Sequence, residues 1–136
     1  MDMEQLFEQS PAHMALFEKI RNLCLSFPGT SERLSHGAPT FFVNEKHPFV
    51  HYRVNHHGDG KIALWCSAPA GVQSLLIEAT PEIYFKPAYV GHLGWVGMRL
   101  DREADWTEIS GVIGEAYLNR APKKYREMVK ELKENL

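Results

Sequence analysis

A chain of 136 residues with 44% hydrophobic and 24% charged residues has the make-up of one ordinary globular domain, which excludes the disordered, coiled-coil and membrane classes. No apolar run approaches the ~20 residues that a bilayer span needs. The formal charge of −2 gives the chain no long-range pull on polyanions, so contact with nucleic acid has to come from a local basic patch. The amino terminus, MDMEQLFEQSP, is acidic and lacks an apolar stretch, so it does not read as a secretory signal, and a cytoplasmic protein with no membrane partner is expected.

Ser10-Pro11 is a helix-start signal: serine caps free amides and proline pre-sets the first helical position. Leu16, Ile20, Leu23 and Phe27 follow at helical spacing until Pro28-Gly29 stops the pattern. From Thr40 the period changes to two. Strands are predicted over about 40–44, 48–54 and 61–67, with the turn His57-Gly58-Asp59-Gly60 joining the last two. Residues 70–79 return to a helical pattern, with Val72, Leu75, Leu76 and Ala79 on one face. Strands about 82–86 and 94–100 come next. Asp105 caps a helix carrying Trp106, Ile109, Val112, Ile113 and Ala116 on its apolar face. Pro122 begins a last helix, with Tyr125, Met128, Val129, Leu132 and Leu136 inward. Cys24 and Cys66 belong to no CxxC or zinc spacing and read as small buried hydrophobes.

The order is one helix, three strands, a helix, two strands and two helices. Short connections between neighbouring strands favour antiparallel pairing, and the helices are too few to cover both faces of a sheet. The expected class is a two-layer α+β domain, α-β(3)-α-β(2)-α, with a mainly antiparallel sheet and an extra carboxyl-terminal helix. One strand parity collects Phe41, Val43, Val50, Tyr52, Val54, Ile62, Leu64, Cys66, Val96, Met98 and Leu100, the aliphatic set that belongs under helices. The other collects Phe42, Phe49, His51, Arg53, Lys61, Ala63, Trp65, Trp95 and Arg99. Aromatic mass beside cations on a face expected to be open marks either a contact surface or a region covered by a loop, a terminal helix or a second copy of the chain. Monomer and homodimer both stay open.

The stretch YVGHLGWVGMRLD, residues 89–101, packs three glycines, Tyr89, His92 and Trp95 into nine residues. Gly91 and Gly94 suit a turn, Gly97 suits a place where another group packs closely, and Tyr89 and Trp95 suit anchors against the sheet. The functional alternative makes this loop a pocket wall. Trp65 and Trp95 then serve as stacking platforms, while His51, Arg53, His92 and Arg99 supply polar or cationic contacts to a planar or anionic partner and Lys86 sits at the rim.

No HExxH, EF-hand loop, P-loop, GxSxG or GxGxxG motif occurs, so no catalytic residue, metal or cofactor is expected. His47 and His51 stand four residues apart on a strand, ~13 Å at ~3.3 Å each, too far to share one ion. His56-His57 reads as a solvated hairpin tip, and Glu32 as a capping or hairpin-bonding carboxylate rather than a general base. The basic residues after Lys123 and Lys124 alternate with acids at helical spacing, the pattern of a solvated, internally paired face.

The segments FPGTSE (27–32), HGAPTFFV (36–43), GKIALW (60–65), YFKPAYVGHLGWVGMRLD (84–101), DW (105–106) and APKKY (121–125) together resemble the MmcQ/YjbR family in matching order. The resemblance implies a compact domain arranged like type III secretion chaperones. It also implies a DNA-binding role, because the hairpins of such a sheet look like a double-wing module. Fold analogy does not establish function. Leu64-Trp65-Cys66 stands where the family pattern is expected to place a lysine, which removes one phosphate contact. Two functions of different class follow. In the first, a nucleic-acid binder presents Arg53, Lys61, Lys86 and Arg99 to phosphates. In the second, a small-molecule or protein-interaction module uses Trp65, Trp95 and His92 on the aromatic face.

Overall fold

The computed structural model describes residues 11–134, so the expected Ser10 cap and the inward placement of Leu136 lie outside the described residues. Helix α1 (Pro11–Ser26) buries His13, Ile20 and Cys24 along one face. It ends at Pro28-Gly29, where Gly29 takes φ +73° and the Tyr125 ring lies 2.4 Å from the position a Cβ would occupy. Any side chain there meets both backbone strain and the anchor of the last helix.

The next element is a strand the sequence pattern does not announce, β1 (Thr30–Ser35), followed by β2 (Ala38–Val43), β3 (His47–Val54) and β4 (Ile62–Cys66). Ser35 pairs with Ala38, so β1 and β2 are joined by the two residues His36-Gly37, both at positive φ. That is the requirement of a tight turn matching the strands' own twist. Helix α2 (Val72–Ala79), the two-residue β5 (Tyr84–Phe85), β6 (Val96–Arg99), α3 (Trp106–Arg120) and α4 (Lys123–Glu134) complete the chain. The sheet is antiparallel throughout, in the order β1-β2-β3-β4-β6-β5. The α+β class stands, with one more strand than expected before the second helix.

One face of the sheet carries the core. Phe41, Val43, Val50, Tyr52, Leu64, Cys66, Val96 and Met98 pack with Ile20 and Cys24 of α1 and with Ile109, Ile113, Ala116 and Tyr117 of α3. Full burial of each large apolar side chain contributes ~1.5–3 kcal/mol. The expected parity holds except at Phe49. The β2–β3 register shifts between Phe41 and Phe42, and this irregularity turns Phe49 into the core, where its ring meets Tyr117 edge-on at 5.6 Å. The Tyr117 hydroxyl donates to the Pro28 carbonyl at 2.6 Å and so fixes the turn after α1. Asp105 caps α3 as expected, its carboxylate accepting from the Glu108 amide at 2.8 Å.

Two helix faces differ from the sequence pattern. On α2, Leu76 and Ile77 reach the core while Leu75 is exposed; on α4, Tyr125 and Val129 do so while Met128 and Leu132 face outward. Glu32 does not cap a turn. It receives Nε and Nη2 of Arg21 at 2.7 and 3.0 Å, which ties edge strand β1 to α1. Among the described residues no helix is long and apolar enough to cross a membrane.

Candidate functional site

The sheet face opposite the core carries a second, smaller cluster: Ala63, Trp65 and Trp95, with Phe85 and Val90 packed against them. Pairing creates it. Trp65 on β4 stands opposite His51 on β3 and Gly97 on β6, and Arg53 stands opposite Ala63. The Phe85 ring lies over Gly97, 2.4 Å from where a Cβ would be, so this glycine does make room for a close contact.

Both indoles project away from the helices, but their rings are not open platforms. Trp65 is 2% exposed and Trp95 6%. The Arg53 guanidinium lies 4.6 Å from the centre of the Trp65 ring. His51 stacks beside Trp65 at 6.3 Å and meets Trp95 edge-on at 5.2 Å. His56 stands edge-on to Trp65 at 4.8 Å. A covering of local side chains and the loop before β6 therefore occupies the face expected to stack on a partner.

Hairpin chemistry explains why His56 folds inward rather than forming a solvated tip. Asn55 and His57 take φ of 50° and 49°, conformations that asparagine and histidine tolerate better than most residues, and these two turns reverse the chain over the sheet. The Asn55 side chain accepts from the Gly60 amide at 2.8 Å, and the Asp59 side chain accepts from the Lys61 amide at 2.9 Å. His57 stays exposed and its Nε2 bonds the Tyr89 hydroxyl at 3.0 Å, joining this hairpin to the loop of residues 86–95. Tyr89, expected to anchor the turn against the sheet, is 68% exposed, at φ +63°, with its ring 5.7 Å from His56. The loop is held from behind by Gln73, whose amide nitrogen donates to the Gly91 and Trp95 carbonyls.

A cavity of about 1230 Å³ runs round this end of β3. His13, Phe17 and Tyr52 line it on the helical side; His51, Arg53, Trp65, Tyr89, Leu93 and Trp95 line it on the other. Side chains of adjacent strand residues point to opposite faces, so Tyr52 and His51 belong to different compartments. The His13–Tyr52 contact, 2.7 Å from the hydroxyl to Nε2, lies in the helical one.

The outer compartment has unusual electrostatics. Arg53 is 8% exposed, and among the described residues no carboxylate lies within ion-pair distance. Its polar contacts are the His36 carbonyl at 3.2 Å and His51 Nδ1 at 3.4 Å. Burial lowers the pKa of Arg53. Burial, then Arg53, then His36 push His51 down to about 4, and burial, His57 and Arg53 lower His56. At neutral pH the Arg53 charge thus stands beside the uncharged rings of His51 and His56.

Of the other residues singled out in the sequence, Lys61 places its ammonium on the Phe85 ring at 4.4 Å. Arg99 forms a two-point ion pair with Asp101 at 3.0 and 2.8 Å. Lys86 is exposed, with its chain folded across Gly91, and His92 is exposed outside the cavity. The structure brings Arg53, Trp65 and Trp95 together and leaves Lys61, Lys86, His92 and Arg99 apart from them. Sequence reasoning missed His56 and Gln73 as parts of the site and had Tyr89 only as part of the loop wall. Asn55 before two histidines and a glycine is the signal that turns His56 inward.

The family model for YjbR matches residues 25–119. The chain belongs to the YjbR family. Among solved structures, that of the Deinococcus radiodurans protein DR2400, a protein with the family-model domain DUF419, is similar in fold. The two share 14% identity with a TM-score of 0.67, over 84% of this chain and 87% of that one. None of the curated proteins matches. The matched YjbR region spans all six strands and every residue of the outer compartment named above, but not α4.

Proposed function

We propose that the chain is a non-catalytic small-molecule binding module whose site is the outer compartment. One observation carries the reading: a buried guanidinium, with no carboxylate within ion-pair distance among the described residues, lies on an indole inside a cavity lined by aromatic and polar side chains. Ligand sites combine apolar lining with a few convergent polar groups in this way. A ligand at ~100 times its dissociation constant stabilises the folded chain by ~2.7 kcal/mol, so a thermal-shift screen of small planar compounds, charged and neutral, is the test. Truncating the buried indoles to alanine costs ~3–5 kcal/mol in folding alone. The informative variants are therefore at the exposed lining residues Tyr89 and Leu93. A shift that persists unchanged in the Tyr89→Ala/Leu93→Ala double variant rules this compartment out.

The DNA-binding label that accompanies the family resemblance makes a different demand, a contiguous exposed set of cations. Lys61 and Arg99 are engaged with Phe85 and Asp101, and Arg53 is buried, which leaves Lys86 exposed among the four. This placement favours the small-molecule reading. Duplex binding that weakens steeply with added salt restores the nucleic-acid one.

A further inference from the structure

Four buried side-chain nitrogen or oxygen atoms have no hydrogen-bond partner among the described residues, and three of them belong to the outer compartment: Arg53 Nε, Trp65 Nε1 and His56 Nε2. The three groups surround one indole. Arg53 lies on its face and His56 stands at right angles to it. Two of the atoms carry hydrogen under all ordinary conditions, and His56 Nε2 donates in its Nε2–H tautomer. Folded proteins pair nearly all such atoms, because an orphaned donor forfeits its hydration. A buried cation without an acid is costlier still. Two unsatisfied donors and one imidazole nitrogen around a charge with no carboxylate partner among the described residues form an arrangement that is completed by an acceptor bearing one negative charge.

We propose that Arg53, Trp65 and His56 form a receptor for the carboxylate of a small planar acid, with the Tyr89 ring as its cover. The proposal rests on the small-molecule reading above and names the ligand class for that site. A carboxylate fits better than a phosphate. The compartment supplies the one full positive charge of Arg53, and burial disfavours protonation of His51 and His56. The guanidinium's Nη atoms are directed to His36 and His51, leaving the Nε edge for the flat oxygen pair that a guanidinium fork binds. The carboxylate that acts on His56, Asp59, spends an oxygen on the Lys61 amide. The ligand's ring then extends toward Trp95 and Leu93. None of the three atoms is open to solvent, so entry requires the exposed Tyr89 side chain to swing from its bond with His57.

The test titrates the full ¹⁵N-labelled chain with benzoate, with its neutral isostere benzamide and with inorganic phosphate, following the indole Nε1–H resonances. Trp65→Phe assigns the relevant signal and removes that donor while keeping a ring. Benzoate is expected to move the Trp65 signal and to bind at least about tenfold tighter than benzamide. Arg53→Lys, which keeps the charge but lacks the fork, is expected to weaken that preference and leave benzamide binding in place. Equal binding of benzoate and benzamide overturns the carboxylate receptor and leaves the small-molecule reading standing. Phosphate moving the signal where benzoate does not also overturns it, in favour of a phosphoryl ligand. No response to any of the three probes at millimolar concentration overturns both readings.

Discussion

Replacing His51 by glutamine should change the acid sensitivity of the fold in a calculable way. Burial, Arg53 and His36 hold the folded-state pKa of His51 at about 4, against 6.5 for an unperturbed imidazole. Protonation is thus harder in the folded chain than in the unfolded one. The stability that His51 contributes is complete above pH 6.5 and is lost as the pH falls through 6.5 toward 4. Linkage between these two values gives a loss of about 2 kcal/mol by pH 5 and about 3 kcal/mol by pH 4. His13 and His56, also lowered, and the carboxylates add their own losses, so the quantity to read is the difference between the natural chain and His51→Gln. Urea denaturation at pH 7, 6, 5 and 4 supplies it. His51→Gln should be less stable at pH 7, where it loses the ring packing between Trp65 and Trp95, and the gap should close as the pH falls. Parallel stability curves from pH 7 to 4 refute the claim that His51 is held neutral inside the compartment.

Gly97→Ala drives a methyl group into the Phe85 ring, and overpacking at a sheet position of this kind should cost ~1–3 kcal/mol in urea denaturation. Asp105→Ala removes the α3 cap and should cost ~1 kcal/mol, with Asp105→Ser recovering most of it. Gln73→Ala frees the Gly91 and Trp95 carbonyls, so amide hydrogen exchange over residues 91–96 should quicken while that of β2 and β3 stays unchanged. Gly29→Ala meets both positive φ and the Tyr125 ring. It should loosen α4, seen as faster exchange over residues 123–134, with the helices and strands of residues 30–120 keeping their protection.

Elements with strong periodicity were legible in the sequence because one face of each is buried: α1, β2 to β4 and α3 follow their apolar patterns closely. Strand β1 was not, because Thr30 to Ser35 form an edge with no apolar alternation, and edges are kept polar to avoid pairing with other chains. Phe49 escaped the parity rule because a one-residue irregularity between strands exchanges faces, and nothing in FFVNEKHPFV marks where it falls. Leu75, Met128 and Leu132 carry the right spacing but face outward, since the short α2 and the terminal α4 bury only a narrow stripe. The aromatic and cationic face was legible as a set, but its state was not. Burial of Trp65 and Trp95 depends on a loop whose path is set by Gln73 and by positive φ at Tyr89. The charges of Lys61 and Arg99 are absorbed by neighbours distant in sequence or placed by a bend, and strand alternation carries no information about either.

The order of strands in the sheet bears on how the protein reaches its folded state. Strands β1 to β4 run as a meander through short connections, so their contacts form between neighbours along the chain at small entropic cost. Strand β6 pairs with β4 only after residues 67–95 have looped out and back. Trp95 arrives in the loop directly before that late strand, whereas Trp65 waits on β4. The outer compartment is therefore assembled at the closing step, and its indole emission offers a clock for the moment at which the fold is complete.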